Sequence, residues 1–371
     1  MAHICHITTV HPAKDVRIFH KECQSLAAAG HQVTLLVGNG ESEHVRGVEI
    51  IGLPFQWNNR LQRFLRGPRA LAEKAMSLDA DIYHFHDPEF LTVVSRFTSI
   101  KAPIIYDIHE DLPRQILGKH YLPSWLARLL AKLLEHYENR KVRTLDAIIT
   151  ATEHIRERFK DMNSCSISIH NYPVLDGGIE YSSYAAKDDA ACYIGSLTRV
   201  RETVEMVKAM ENRSFRLHLA GNFSPQGLQT EVEGMEGWKQ VDFHGFVNRD
   251  EAHSILSRSK VGLVTLHPLV NYLDALPVKM FEYMAAGIPV ITSDIPLWKH
   301  IVEGASCGVA VDPLDPKAIG AAIQNLLDKP EESAQMGARG RKAVESKYNW
   351  ESESRRLSEF YDSLLNKEPI G

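Results

Sequence analysis

The sequence predicts an α/β protein built from two doubly wound, Rossmann-like halves. Two observations lead there. Short apolar runs of strand length alternate with stretches of helical periodicity, and the series stops near residue 173 and then starts again. A chain of 371 residues is also longer than one ordinary core accommodates. Apolar runs bounded by helices indicate parallel strands covered on both faces.

The first half opens with an expected strand at His3–Thr9, a loop over 10–16, and a helix at Ile18–Ala29 stopped by Gly30. Strands are expected at Gln32–Val37, Val48–Leu53, Ile82–Phe85, Ile104–Ile108 and Ala147–Thr150. His170-Asn171-Tyr172-Pro173 and the polar run over 176–189 read as a connection. The second half restarts with a strand at Ala191–Ile194, a loop at Gly195 and a helix at Glu202–Met210. Its further strands are Arg216–Ala220, Gln240–Phe243, Gly262–Thr265, Val290–Thr292 and Gly308–Val311, and the tail from Trp350 to about Leu365 is helical. Expected domains are 1–172 and 173–349, followed by a closing segment, 350–371. The strand ends should face a cleft, where open parallel sheets bind ligands.

Composition narrows the function. Hydrophobic residues make up 44% and charged residues 24%, as in soluble globular proteins. No run approaches the ~20 apolar residues of a spanning helix, and the N-terminus lacks a basic start followed by an apolar stretch. A cytoplasmic protein is therefore expected. Cys5, Cys23, Cys165, Cys192 and Cys307 are odd in number and form no C-x-x-C pair, which predicts reduced thiols and no zinc framework. The net charge of −5 gives no case for nucleic acid. Charge is uneven: residues 1–170 carry 21 Lys/Arg against 19 Asp/Glu, the remainder 21 against 28.

The most informative stretch is Ala275–Val290, ALPVKMFEYMAAGIPV. A Pro-bounded loop opening a helix presents free N–H groups and the positive end of the helix dipole, which suits phosphate. Glu282, expected in the first helical turn, would then reach a ribose hydroxyl. Gly287 and Pro289 stop the helix and launch a buried strand.

These residues carry a family resemblance. Phe281-Glu282-Tyr283-Met284-Ala285-Ala286-Gly287-x-Pro289-Val290 resembles the donor-site signature of retaining GT-B glycosyltransferases of family 4. In order along the chain, several further segments resemble the same family. They are His11-Pro12 with Asp15–Phe19, Tyr106–Glu110, Tyr193–Leu197 with Arg201, Leu219–Gly221, Phe243–Phe246 and Tyr348–Trp350. The resemblance spans nearly the whole chain. It implies an acceptor-binding first domain, a donor-binding second domain and a last helix crossing back to the first.

Transfer from a nucleotide sugar develops charge on the leaving diphosphate and on an oxocarbenium-like sugar, and stabilising that charge is the main catalytic task. The resemblance implies that Arg201 holds the diphosphate, with Arg199 as a second contact; a guanidinium forks onto phosphate oxygens. The bland alternative is a solvated pair at a helix start. Backbone around Leu276, Pro277, Val278 and Lys279 should assist, and the Lys279 side chain reads equally as phosphate ligand or surface residue. Glu282 takes the family's ribose-binding place in an E-x7-E pattern whose first acid here is Asp274, one methylene short. Gly245, Phe246 and Val247 are expected beside the base, with Gly221 and Asn222 lining the same site. His109 takes the place of the family histidine that meets the donor sugar, and Glu110 is a candidate to orient it or to meet the acceptor. His84-x-His86 suggests a metal superficially, but no third ligand is evident, and an acceptor-side loop or packed strand end is the preferred reading. Asp79-Ala80-Asp81 precedes a strand, at the wrong end for a donor site. No metal or other cofactor is expected.

The resemblance implies retention without a protein nucleophile. The acceptor is expected to be a glycan or lipid-linked. Residues 60–69 and 125–143 interleave Arg and Lys with Leu, Phe and Trp. They read either as a patch for anionic membrane on the inner face or as amphipathic helices packed on the sheet. A nucleotide-sugar epimerase and a catalytically silent partner remain as alternatives. A dinucleotide oxidoreductase does not fit, because no G-x-G-x-x-G follows the first strand.

Overall fold

The computed structural model describes residues 1–53, 60–97, 99–118, 122–175 and 183–366. Part of the expected connection, 176–182, lies outside them. The chain forms two compact units, Met1–Asn171 with Trp350–Gly371, and Tyr172–Asn349.

The first unit holds strands β1 (His3–Thr8), β2 (Gln32–Val37), β3 (Glu43–Val45), β4 (Val48–Gly52), β5 (Ile82–Phe85), β6 (Ile104–Ile108), β7 (Ala147–Thr150) and β8 (Ser166–Ser168). They form one sheet in the order β3-β4-β2-β1-β5-β6-β7-β8. Every pair is parallel except β3 with β4. β5, β6 and β7 are buried along their whole length, because helices cover both faces. The sequence misses β3 and β8, three-residue edge strands with polar residues.

One continuous helix was expected after β1. Instead a π-helical turn, Ile18–Cys23, precedes an α-helix at Gln24–Ala28. Its bond from Glu22 N–H to the Arg17 carbonyl spans five residues. The wider turn carries Lys21, Glu22 and Cys23 into the interior together. The final helix, Trp350–Asn366, packs on this unit through Leu357, Phe360 and Tyr361, and Trp350 Nε1 donates to Ser25 Oγ at 2.8 Å.

The second unit holds β9 (Asp188–Ile194), β10 (Arg216–Ala220), β11 (Val241–Gly245), β12 (Ser259–Val264), β13 (Val290–Ser293) and β14 (Gly308–Val311), in the order β11-β10-β9-β12-β13-β14. All pairs are parallel. Strand order reverses between β9 and β12, so ligand sites are expected beyond the carboxyl ends of those two strands. The helix Val278–Ala285 lies close on β12, where a Cβ on Gly262 would fall 2.3 Å from the Tyr283 ring. All five cysteines are free, with Cys5 and Cys192 in the core as expected.

Candidate functional site

In the second unit three neighbouring strands end in glycine. Gly195, Gly221 and Gly245 follow or close β9, β10 and β11, with φ of +148°, +143° and +66°. Backbone bonds tie the three ends together: Gly195 N–H donates to Ala220 O at 2.9 Å, and Gly221 N–H to Gly245 O at 2.7 Å. Leu197 N–H donates to Asn222 O at 2.9 Å. A side chain is impossible at Gly221, where a Cβ would lie 1.8 Å from the Gly195 carbonyl oxygen. At Gly195 a Cβ would fall 2.8 Å from Lys279 Nζ and 3.6 Å from Arg201 Nη1. Two cations from distant parts of the sequence therefore converge over one glycine at the switch point.

The electrostatics follow from that convergence. Lys279 Nζ sits 3.8 Å from the centroid of the Tyr193 ring. Burial, followed by the charge of Arg201, lowers the Lys279 pKa to about 7, against an opposing pull from Glu282. Burial raises the Tyr193 hydroxyl to about 12, opposed by Arg201. An anion here would relieve the repulsion between the two cations.

Arg199 is placed differently. It is exposed and ion-paired with Glu231, while Arg201 is partly buried beside Gly195. Glu202 is the N-cap of Thr203–Lys208, in the left-handed region at φ +56°, where a helix start was expected. It is fully buried, its Oε1 lies 3.1 Å from His267 Nε2, and neither oxygen has a hydrogen-bond partner among the described residues. Burial, then Glu205, raises its pKa to about 9.

The helix after the loop begins at Val278 with Pro277 as N-cap. Glu282 consequently stands in the second turn, not the first, and is exposed. Pro277 is extended, at ψ 117°, so the helix begins at the residue after it, a full turn ahead of Glu282. Leu276, Val278 and Asp274 are partly buried. Trp298, fully buried, donates from Nε1 to Ala275 O at 2.7 Å and so pins the loop that leads into this helix. Phe246 is 74% exposed, and Val247 is partly buried beside it. Neither Trp298 nor the Lys279–Gly195 approach is legible from local sequence.

In the first unit, His109 follows β6. Its Nε2 lies 2.9 Å from Asp107 Oδ2 and 3.2 Å from His86 Nδ1. Arg17 donates to both Asp107 oxygens at 2.9 Å. Burial opposes ionisation of Asp107, but Arg17 and His109 hold its carboxyl well below the usual range. Asp107, not Glu110, thus orients His109; Glu110 is exposed and bonded by Gln115. The strand alternation hides this, because residues i and i+2 share a face only if the chain stays extended past the strand end. His11 lies beside His109, with ring centroids 5.2 Å apart and planes tilted by 52°, and Asp15 raises its pKa. His84 and His86 lie in the interior, 0% and 2% exposed, and so belong to a packed strand end. Asp81 accepts from His3 N–H at the opposite end of β5.

Two Rossmann-like units in one chain are the GT-B class of fold. A "Glycosyltransferase Family 4" model matches residues 16–170, and a "Glycosyl transferases group 1" model matches residues 182–343. Glycogen synthase of Mycobacterium tuberculosis is 22% identical, over 93% of this chain and 90% of its own. Sucrose-phosphate synthase from Thermosynechococcus elongatus superposes with a TM-score of 0.78 at 19% identity, over 99% of this chain and 100% of its own. The Anabaena protein HepE, in complex with UDP-glucose, gives 0.73 at 12% identity, over 98% and 100%. The chain is a GT-B glycosyltransferase related to the family 4 and group 1 glycosyltransferases. It is an enzyme that transfers sugar from a nucleotide-diphosphate donor to an acceptor. Among the described residues, no helix is long and apolar enough to cross a membrane.

Proposed function

We propose that this enzyme is a retaining hexosyltransferase that takes a UDP-sugar in preference to a GDP-sugar. Its acceptor is a glycan or a lipid-linked acceptor of cell-surface polysaccharide or glycoconjugate synthesis. The convergence of Arg201 and Lys279 on Gly195, at the switch point of a parallel sheet, carries this reading. Two cations over a glycine fit a diphosphate and stabilise the charge that builds on it as the glycosidic bond breaks. Residues 173–349 are the donor domain and 1–172 the acceptor domain, with 350–371 returning to the latter. Gly221, Asn222, Gly245, Phe246 and Val247 flank the base, Glu282 holds the ribose, and Asp274 meets the sugar. Leu276, Pro277 and Val278 present the helix start to phosphate, and Arg199 serves only as an outer contact. His109, with Nε2 engaged by Asp107, offers Nδ1 to the donor sugar. The acceptor hydroxyl attacks the face that the phosphate leaves, and the departing phosphate takes its proton. No step runs through a metal. The UDP-glucose complex of a protein with the same fold supports the choice of base.

The acceptor side is proposed to rest on the inner face of the membrane. On the helix Ser124–Val142, Trp125, Leu129 and Leu133 are 67%, 48% and 59% exposed at four-residue spacing, with Arg128 and Lys132 exposed among them. Phe64 and Leu65 are exposed beside Arg66 and Arg69 on the helix Arg60–Met76. Apolar side chains left in water next to cations suit an anionic lipid surface. Flotation with anionic liposomes, but not with neutral ones, is the expected result. Equal recovery in the soluble fraction with both ends the membrane reading.

The donor reading is tested by a thermal-shift panel of UDP-, GDP-, ADP- and CMP-sugars on wild type and Glu282→Ala. The true donor class raises Tm in wild type and less in the variant. No shift with any donor removes the assignment, and conversion to an epimer without acceptor replaces it with an epimerase.

A further inference from the structure

Beneath His109, the first unit contains a cluster of side chains that the transfer reaction does not use. His6 on β1, Glu22 on the π-helical turn, and His84 and His86 at β5 are each 2% exposed or less. One ligand atom from each falls within 4.8 Å of the others. Three distances define the arrangement: His6 Nδ1 to His86 Nε2 is 2.9 Å, and Glu22 Oε2 is 3.9 Å from each of those nitrogens. The circle through these three atoms has a radius of about 2.1 Å, which matches zinc–imidazole and zinc–carboxylate bond lengths. Tetrahedral ligands at such distances stand about 3.3 Å apart, so shifts of a few tenths of an ångström suffice.

The polar accounting points the same way. Glu22 Oε2 and His84 Nε2 are buried without a hydrogen-bond partner among the described residues, and Glu22 Oε1 has only its ion pair with Arg17. Native interiors rarely leave such atoms unmatched. Meanwhile the other side of each group is held. Tyr361 OH lies 3.4 Å from His6 Nε2 and also meets His84 Nδ1. Asp107 Oδ2 is 3.3 Å from His86 Nδ1, and Arg17 Nε is 3.0 Å from Glu22 Oε1. Ligands oriented from behind by carboxylate, hydroxyl or guanidinium are the usual outer shell of a metal centre.

We propose that His6, Glu22, His84 and His86 form a closed, structural site for one divalent ion of the zinc type. Three imidazoles and one carboxylate select such an ion over magnesium or calcium, which prefer oxygen ligands. Complete burial leaves no open position for substrate, so the ion stabilises the fold and takes no part in transfer. It also fixes the His86 proton on Nδ1, facing Asp107, and thereby supports the carboxylate that orients His109. The sequence suggested only His84-x-His86; the remaining ligands come from β1 and the π-helical turn, 78 and 62 residues before His84.

The test uses the full chain without a histidine tag, expressed in zinc-supplemented medium and passed through a chelating column to strip surface metal. Elemental analysis should give about one zinc per chain. Cobalt-grown protein should show the intense visible bands of tetrahedral cobalt. Protein refolded with zinc should melt at least about 5 °C above protein refolded with chelator. Glu22→Gln and His84→Gln should lose most of the metal and the cobalt bands. If either variant does not fold, the wild-type stoichiometry and spectrum decide. Less than about 0.1 zinc per chain in folded wild type overturns the proposal. So does a melting temperature indifferent to zinc, or full metal content in folded Glu22→Gln.

Discussion

Donor binding should take up a proton. Lys279 is half-buried, and desolvation together with the charge of Arg201 brings its pKa down to about 7 in the free protein. A bound diphosphate supplies two negative charges and returns the ammonium toward the ordinary lysine value, about 10.4. At pH 7 about half of the lysines must therefore gain a proton on binding, and at pH 8 about nine-tenths. The apparent Kd scales as one plus the ratio of neutral to charged lysine. It should weaken about fivefold from pH 7 to 8 and about thirtyfold from pH 6 to 8.5. The same linkage acts on the empty fold. The unfolded chain holds this proton up to about pH 10.4 and the folded chain only to about 7, so stability without ligand rises with pH between those values. Calorimetric titration of a UDP-sugar, whose diphosphate diester does not titrate in this range, is the assay. Run at pH 8 in buffers of different ionisation enthalpy, it reads proton uptake as the slope of heat against buffer enthalpy. Lys279→Gln should bind more weakly and lose the slope. A slope of zero in wild type, with Kd flat from pH 6 to 8.5, would refute the placement of the diphosphate against Lys279.

Further outcomes follow from the same geometry. Arg201→Ala should lower kcat/KM by about 10²–10³-fold, as loss of one preorganised charge does, while Arg199→Ala, whose partner is Glu231, should change it less than about threefold; equal losses would show that the two arginines act alike. Glu202 is neutral when folded up to about pH 9, facing Glu205, Asp312 and His267, and ionised when unfolded above ordinary carboxylate values. Its protonation stabilises the fold at low pH and that stability is lost as pH rises toward 9. The advantage of Glu202→Gln in urea unfolding should thus grow by about 1.4 kcal/mol per pH unit between pH 5 and 9, and a constant difference would contradict the burial argument. Gly221→Ala must place a methyl against the Gly195 carbonyl at a φ of +143°, and should cost about 3 kcal/mol and abolish the donor-induced thermal shift; a variant as stable as wild type would mean the strand ends are adaptable.

Much of the scaffold was readable from the chain because a parallel strand covered on both faces is an unbroken apolar run. β5, β6, β7, β10 and β14 have the bounds that their sequences predict. β3 and β8 escaped because three-residue edge strands carry no such signature. Individual site residues were visible where glycine or proline marks a strand end, as at Gly195, Gly221, Gly245 and Pro277. Their relations were not. Lys279 and Gly195 are 84 positions apart, and only the tertiary fold shows that the lysine side chain points to the glycine rather than to solvent. Asp107 stands out in the sequence only as one acidic neighbour of His109, because nothing local shows that the chain stays extended past the strand end. Its meaning depends on Arg17, 90 residues earlier. Glu282 stands one turn further into its helix than the sequence predicts, because the N-cap is a proline and no capping side chain marks the start.

The last helix has a consequence for how the polypeptide is made. Trp350–Asn366 belongs to the unit that begins at Met1, and Tyr361 bonds to His84 in its interior. Residues 1–171 therefore leave the ribosome ahead of 172–349, yet their unit is completed only by the helix that follows, whereas 172–349 is one continuous segment whose six described strands are all made before that helix. Until Trp350–Asn366 emerges, β1, β5 and the π-helical turn wait with an apolar and histidine-lined face uncovered. Loss of Trp350–Asn366 would accordingly damage the unit built from residues 1–171, and termination before Trp350 would leave one finished unit attached to an unfinished one.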